Sequence, residues 1–335
     1  MLTPRPDLRT TILGTTYDLP FMLAPIGSTR MFHPHGEALS AAAAGAAGAG
    51  YILSTLCGSP LEDVKAAATR PVWYQLYLVG GHDVARAGIE RARKAGFSAL
   101  VVTIDTPVAG MRERDHHNGT GQLLTRRIGT MLPYVPQLLA RPRWLARFIA
   151  DGGLMEFPNV MTPTGPMAYA DVGSALEQCA VGWPDLRWIR DAWRGPIVVK
   201  GVHTADDARR AVEAGADGVV VSNHGGRQLD GVAATLRILP EVVAAVGDRT
   251  EVLFDGGIRR GSDIVKALAL GARAVLVGRA YVYGLGAGGG EGVTRAIDIL
   301  RADLVRTLKL LGCGSIAELD RSFLDLPSGW PSGPR

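Results

Sequence analysis

The sequence predicts an α/β chain closed into a (β/α)8 barrel, the TIM barrel, on three observations. Short apolar runs bounded by turn residues recur along the chain, most of them separated by Ala/Arg/Glu-rich stretches of helical composition. The runs are nearly continuously apolar, as strands buried on both faces require, and this alternation argues for parallel strands joined by crossover helices. Polar and titratable residues gather at the C-terminal end of the runs, the end that carries chemistry in such a barrel.

In order, the eight strands are expected at Phe21–Ala24, Tyr51–Ser54, Val72–Tyr77, Ala99–Thr103, Ile197–Lys200, Gly218–Val221, Val252–Asp255 and Ala274–Val277. Helices fill the intervals, as at Val84–Ala95, Ala205–Ala214 and Asp263–Leu270. The segments Asp206–Gly218 and Asp263–Ala274 repeat one unit: a helix with inward alanines, an Ala-Gly-Ala or Leu-Gly-Ala turn, and a Val-rich strand. Gly215 and Gly271 then serve as helix C-caps. Strands four and five are separated by far more chain than a simple connection needs. Part of that excursion, residues 106–182, is expected to cover an active site, and a regular crossover helix resumes at Trp183–Trp193 before Gly195-Pro196. Inside it, short helices are expected around Leu138–Ala150, and the Gly/Pro-rich Pro158–Pro166 is expected to be mobile. Residues 1–335 are read as one barrel domain.

Composition narrows the function. A hydrophobic fraction of 47% beside 20% charged residues is that of a globular enzyme and excludes disorder for most of the chain. The formal charge of +4 is spread among Asp and Glu, which disfavours nucleic acid as a partner. The densest basic stretch, Arg141–Arg147, reads as a solvated face, so membrane association is not expected. Cys57, Cys179 and Cys313 have neither metal-ligand nor redox-pair spacing, and an odd number suits a reducing compartment. No metal site is expected. Neither a secretory leader nor a membrane-length apolar run is evident, so a cytoplasmic location is expected.

The strand ends carry a coherent set: Pro25-Ile26-Gly27, Ser54-Thr55, Gln75 with Tyr77, Thr103 with Asp105, Lys200, His224 with Arg227, Asp255-Gly256-Gly257 with Arg259, and Gly278-Arg279. At the last two, glycine amides and arginines suit a phosphate, and strands seven and eight are where barrels usually hold one. Lys200 at the barrel mouth needs an electron-rich partner, either a ligand or Asp255, because a buried unpaired ammonium is costly. In Ser222-Asn223-His224-Gly225-Gly226-Arg227-Gln228-Leu229-Asp230 a base and a cation stand three residues apart after an apolar run, an arrangement suited to a small acid.

That segment, with Gln75-Leu76-Tyr77, Thr103-Ile104-Asp105-Thr106-Pro107, Lys200-Gly201-Val202 and Asp255-Gly256-Gly257-Ile258-Arg259-Arg260-Gly261, resembles the FMN-dependent α-hydroxy acid oxidase and dehydrogenase family over almost the whole chain. The family includes glycolate oxidase, lactate oxidase and mandelate dehydrogenase. The resemblance implies that Pro25, Ile26 and Gly27 line the flavin, and that Ser54, Gln75 and Thr103 bond its ring system. It sets Lys200 at N1 and the C2 oxygen, and counts Ser222 in the cofactor-binding set. Asp255, Gly257 and Arg259 would hold the ribityl chain and phosphate, with Gly278 and Arg279 completing that site.

The implied reaction is oxidation of an L-2-hydroxy acid to the 2-oxo acid, with oxygen or another redox acceptor taking the electrons. His224 would be the base, Asp105 its orienting carboxylate, and Tyr77 the partner of the substrate hydroxyl. Arg227 and Arg112 would fork onto the substrate carboxylate. Either the hydroxyl proton or the α-proton could go to His224. A homotetramer is also implied.

Three departures from the family pattern stand out. The chain begins late, so the N-terminal helical segment, with the tyrosine it gives to the substrate carboxylate, is expected to be missing. Leu56 replaces a tryptophan of glycolate oxidases, which leaves room for a bulkier substrate. Gly27 replaces an alanine of typical oxidases, which fits slow reaction with oxygen. Two rival readings are a flavin-binding protein without turnover and a related FMN barrel enzyme with a different substrate.

Overall fold

Apolar runs that must bury both faces can do so by pairing in parallel under a shell of helices, and closing the sheet leaves no open edge. The structure, a computed structural model, describes residues 5–119, 129, 132–177 and 179–331. Its strands are β1 (Thr10–Ile12), β2 (Thr15–Tyr17), β3 (Phe21–Leu23), β4 (Gly50–Ser54), β5 (Val72–Leu76), β6 (Ala99–Thr103), β7 (Glu156–Thr162), β8 (Gly165–Ala168), β9 (Ile197–Val202), β10 (Gly218–Val221), β11 (Glu251–Asp255) and β12 (Ala274–Val277). Eight of them close a parallel barrel in the order β3-β4-β5-β6-β9-β10-β11-β12 and back to β3. These are the eight strands expected from the sequence, with ends displaced by no more than two residues.

The side-chain alternation of a strand splits the core in two. Met22, Ile52, Trp73, Val101, Val198, Val220, Leu253 and Leu276 fill the barrel interior. Their neighbours, such as Phe21, Leu23, Leu53, Tyr74 and Phe254, pack outward against the helices. The same period of two carries forward to the strand ends. Ser54, Gln75, Thr103, Lys200, Ser222 and Asp255 each stand two residues beyond an interior apolar residue and form the next inward layer. All six are buried.

The helices lie at Gly36–Ala46, Leu61–Ala67, His82–Lys94, Asp185–Ala192, Ala205–Glu213, Thr235–Val246, Gly261–Ala269 and Arg279–Leu311. The start of Ala205–Glu213 shows why one forms where it does. Thr204 accepts a hydrogen bond from the Asp207 amide at 3.0 Å, and Asp206 and Asp207 lie in the positive first turn. Gly215, at φ 91°, then turns the chain into β10. The Arg279–Leu311 helix kinks at Gly288 and Gly289. Across the kink, a Cβ on Gly292 would stand 1.9 Å from the Gly284 carbonyl oxygen, so its two arms meet backbone to backbone.

Two hairpins were not foreseen in the sequence. β1 and β2 pair antiparallel and deliver Ile12 and Tyr17 into the barrel interior, plugging the end opposite the strand C-termini. β7 and β8 form the other, and they correct the expectation that Pro158–Pro166 is mobile. Asn159 stitches this hairpin to the loop after β4. Its Oδ1 accepts from the Leu61 amide at 3.0 Å, and its Nδ2 donates to the Ser59 carbonyl at 3.0 Å and to Cys57 Sγ at 2.9 Å. The expected helical stretch Leu138–Ala150 is two short helices, Val135–Leu139 and Pro142–Ala150. Residues 120–128, 130, 131 and 178 of the excursion lie outside the described residues.

Candidate active site

Parallel strands in a closed barrel bring all their C-terminal ends to one mouth, so residues far apart in sequence meet there. Three neighbouring strands supply a buried polar chain: Ser54 Oγ donates to Gln75 Oε1 at 3.1 Å, and Gln75 Nε2 donates to Thr103 Oγ1 at 3.1 Å. These bonds fix which way the Gln75 amide points.

On the next strand, in register with Thr103, Lys200 Nζ lies 3.0 Å from Asp255 Oδ2 and donates to Ser222 Oγ at 3.0 Å. Burial works against the ammonium, yet Asp255, Asp105 and Tyr77 together hold its pKa above the ordinary lysine value. The ion pair weighed in the sequence is therefore present. Asp255 Oδ1 is buried with no hydrogen-bond partner, an acceptor with its capacity unused.

His224 sits in the left-handed region at φ 56°, with its amide donating to Ser222 Oγ at 3.1 Å. Its Nδ1 lies 2.9 Å from Asp105 Oδ1, which also accepts from Thr106 Oγ1 at 3.1 Å. Burial alone would raise the Asp105 carboxyl, but Lys200, His224 and Thr106 outweigh it and hold it at about 2. An ionised carboxylate only accepts, so Nδ1 carries the proton of that bond and Nε2 is the nitrogen left outside it. Tyr77 is buried beside this pair, and burial pushes its phenol up to about 12, so it remains a hydrogen-bond donor at neutral pH.

Arg227 and Arg112 are half-buried at the same mouth. Burial, then Arg112 and Arg279, lower the Arg227 pKa, which marks a concentration of positive charge. Asp115 is the nearest counter-charge, 3.8 Å from Arg227 Nη2. On the far side, Arg279 Nη2 donates to the Gly225 carbonyl at 2.8 Å, and Arg259 is exposed. Around Gly257 an added Cβ would meet nothing within 4 Å, while a Cβ on Gly278 would stand 3.7 Å from Ile26. Pro25, Ile26 and Gly27 are half-buried at the rim.

Gly27 and Leu56, singled out separately in the sequence, touch. A Cβ on Gly27 would lie 2.9 Å from the Leu56 carbonyl oxygen, and the Ser28 amide donates to that oxygen at 2.8 Å. Four contributors had no role in the sequence reading. Thr55 Oγ1 accepts from the Tyr77 amide at 3.1 Å, Thr106 bonds Asp105, Asp115 faces Arg227, and Gln228 reaches the loop after β6. Thr55 stood in the strand-end set and Thr106 and Gln228 lay within motifs already noted, whereas Asp115 gave no signal.

A closed parallel barrel with this mouth defines an enzyme for a phosphate-bearing cofactor. The chain belongs to the FMN-dependent dehydrogenase family, whose pattern matches residues 2–326. It is 42% identical over 329 residues to an L-lactate dehydrogenase of Caulobacter sp. (strain K31), covering 96% of this chain and 84% of the relative. An L-lactate dehydrogenase of Stenotrophomonas maltophilia (strain R551-3) is also 42% identical, with 96% and 85% covered. Among solved structures, the monotopic membrane protein (S)-mandelate dehydrogenase is 37% identical with a TM-score of 0.88, covering 96% of this chain and 85% of that one. A mandelate oxidase is 36% identical with a TM-score of 0.78, covering 95% and 82%. The protein is thus an FMN-dependent oxidoreductase. Its residues fit the cofactor: Asp255 Oδ1 is a buried acceptor without a partner, which would suit a cofactor hydroxyl, and nothing lies within 4 Å of a Cβ placed on Gly257, which would leave room for a phosphate group.

Proposed function

We propose that the protein oxidises an L-2-hydroxy acid to the 2-oxo acid, with Pro25, Ile26, Gly27, Ser54, Gln75, Thr103, Lys200, Ser222, Asp255, Gly257, Arg259, Gly278 and Arg279 holding FMN. The observation that carries this reading is the 2.9 Å His224–Asp105 pair beside the Arg227 and Arg112 guanidiniums. Lactate and mandelate, for which the relatives are named, are both 2-hydroxy acids. Arg227 and Arg112 bind the carboxylate, displacing Asp115 as counter-charge, and Tyr77 hydrogen-bonds the hydroxyl. His224 Nε2 accepts one proton as C–O becomes C=O, and Asp105 stabilises the imidazolium that forms. Bound FMN supplies the two-electron acceptor. The same residues serve whether the hydroxyl proton or the α-proton is the one taken.

The test is the anaerobic visible spectrum of the holoenzyme before and after lactate, mandelate, 4-hydroxymandelate or glycolate. Bleaching by one acid is expected, and slow recovery in air would separate dehydrogenase from oxidase. A yellow protein that no acid bleaches would leave flavin binding as its function. His224→Gln should keep the flavin yet slow its reduction on the order of 10³-fold, and near-normal reduction would remove His224 from the base role.

A second reading concerns a membrane surface, which the composition disfavoured. Leu132, Val135, Leu139 and Ile149 are exposed in the excursion, beside Arg141, Arg143 and Arg147. Trp144 and Phe148 stack at 5.0 Å, and Trp144 Nε1 donates to the Met31 carbonyl at 2.9 Å, so one face of this helix rests on the barrel while the arginines and Ile149 face outward. Such a surface suits peripheral docking on anionic lipid, and a similar solved protein is a monotopic membrane protein. No described helix is long and apolar enough to cross a bilayer. Co-sedimentation with phosphatidylserine vesicles is expected at low salt and should be lost in the triple variant Arg141→Glu, Arg143→Glu, Arg147→Glu; equal binding by that variant would sink this reading.

A further inference from the structure

Gln228 lies in the Ser222–Asp230 segment, but its side-chain amide bonds neither the His224 ring nor the Asp105 carboxylate, only backbone carbonyls. Its Nε2 donates two hydrogen bonds across the mouth, to the Asp105 carbonyl at 3.1 Å and the Val108 carbonyl at 2.9 Å. One NH2 group has two protons, so both bonds are complete. Its Oε1 is buried without a partner. The reversed amide would set that oxygen against two carbonyl oxygens, so only this orientation serves.

Beside it, Gly110 presses on the same strand of chain. A Cβ there would stand 2.1 Å from the Arg227 carbonyl oxygen and 2.8 Å from Gln228 Cα. The loop after β6 and the loop after β10 are therefore in backbone contact at 110 and 227 and bonded at 105, 108 and 228. Arg112 follows two residues after Gly110, and Arg227 immediately precedes Gln228.

The two loops do not depend on this latch equally. Asp105 has side-chain anchors of its own in His224 and Thr106. Among the described residues Arg112 has none: its Nε is buried without a hydrogen-bond partner and its guanidinium makes no ion pair. Its guanidinium goes where its loop goes. Before a carboxylate arrives, Arg112 and Arg227 also repel one another, so something must oppose their separation. We infer that Gln228 is a positioning residue that sets the Arg112–Arg227 spacing for the substrate carboxylate. This rests on the reading that those two arginines bind it.

In the holoenzyme, Gln228→Leu should raise KM for the bleaching acid about tenfold with kcat changed less than about threefold, because carboxylate binding is loosened and the base is not. Flavin content and spectrum should be unchanged. Gln228→Glu should show the same loss near pH 8, with its ratio to the parent enzyme recovering near pH 5, because the two facing carbonyl oxygens disfavour the ionised carboxyl and raise it above the ordinary value of about 4.3, so that it again donates one bond. A merely structural role would give no such recovery. With Arg112→Ala in place, Gln228→Leu should change KM less than about twofold, since the intermediary is gone. Three results would overturn the inference in distinguishable ways. If Gln228→Leu leaves KM unchanged while Arg227→Lys raises it, the latch is wrong and the carboxylate site stands. If the full Gln228 effect persists without Arg112, the amide acts elsewhere. If Arg227→Lys leaves KM unchanged, the carboxylate reading fails and the latch falls with it.

Discussion

Single residues in this mouth solve the problem of keeping charge out of water. Lys200 is 4% exposed and Asp255 7%, and such a pair survives only when further hydrogen bonds complete it; Ser222 supplies one. Asp105 is the clearest case, held at about 2 against an ordinary value of 3.8. A carboxyl depressed by folding contributes stability that is fully present above 3.8 and is lost as pH falls through about 2. Asp105→Asn should therefore melt below the parent protein at neutral pH, and the gap should narrow as the pH drops from 4 towards 2, read by thermal unfolding at a series of pH values. A gap independent of pH would mean that the carboxylate charge is not what stabilises. At the rim, Gly27 and Leu56 are one packing decision, because the Leu56 carbonyl that a Cβ would strike is the acceptor of the Ser28 amide. The sequence offered them as independent substitutions, and only the fold shows that changing one constrains the other.

Among the elements, legibility follows the range of the forces involved. The eight barrel strands were readable because burial on both faces leaves a local mark in five or so consecutive residues, and the period of two then fixed the inward layer from Ser54 to Asp255. The β7–β8 hairpin left no such mark. Its three prolines and its Gly165 turn read as loop, and what orders it is Asn159 reaching back about a hundred residues in sequence to Cys57, Ser59 and Leu61. Asn159→Ala should leave the Leu61 amide unpaired and the Ser59 carbonyl with only the Cys57 thiol, and cost about 1–3 kcal/mol, measured by denaturant unfolding. A neutral result would mean that the hairpin is held by Phe157 and Val160 burial alone. The β1–β2 hairpin was missed for a different reason: three-residue strands of mostly Thr carry too little pattern to distinguish from a loop.

For the molecule as a whole, the barrel is sealed at one end so that chemistry happens at the other. Ile12 and Tyr17 complete the interior cluster, Leu13 donates its amide to Glu251 Oε2 at 3.0 Å, and Asp7 bridges Ser315 so that the first described residues lie beside the turn that follows the last long helix. Tyr17→Ala should empty the plug and destabilise by about 3–5 kcal/mol, as large-to-small changes of buried aromatic residues do, with KM untouched because the mouth lies at the opposite pole. A variant equally stable would show that the plug can collapse to fill the space. The Asn159 stitch, finally, says where this chain can be cut and rejoined. A chimera that imports a relative's excursion by exchanging residues 106–154 keeps Asn159 and its partners in the loop after β4 from one parent. A seam beyond Ala168 would take the hairpin from one parent and its docking loop from the other, so recombination belongs ahead of Glu156.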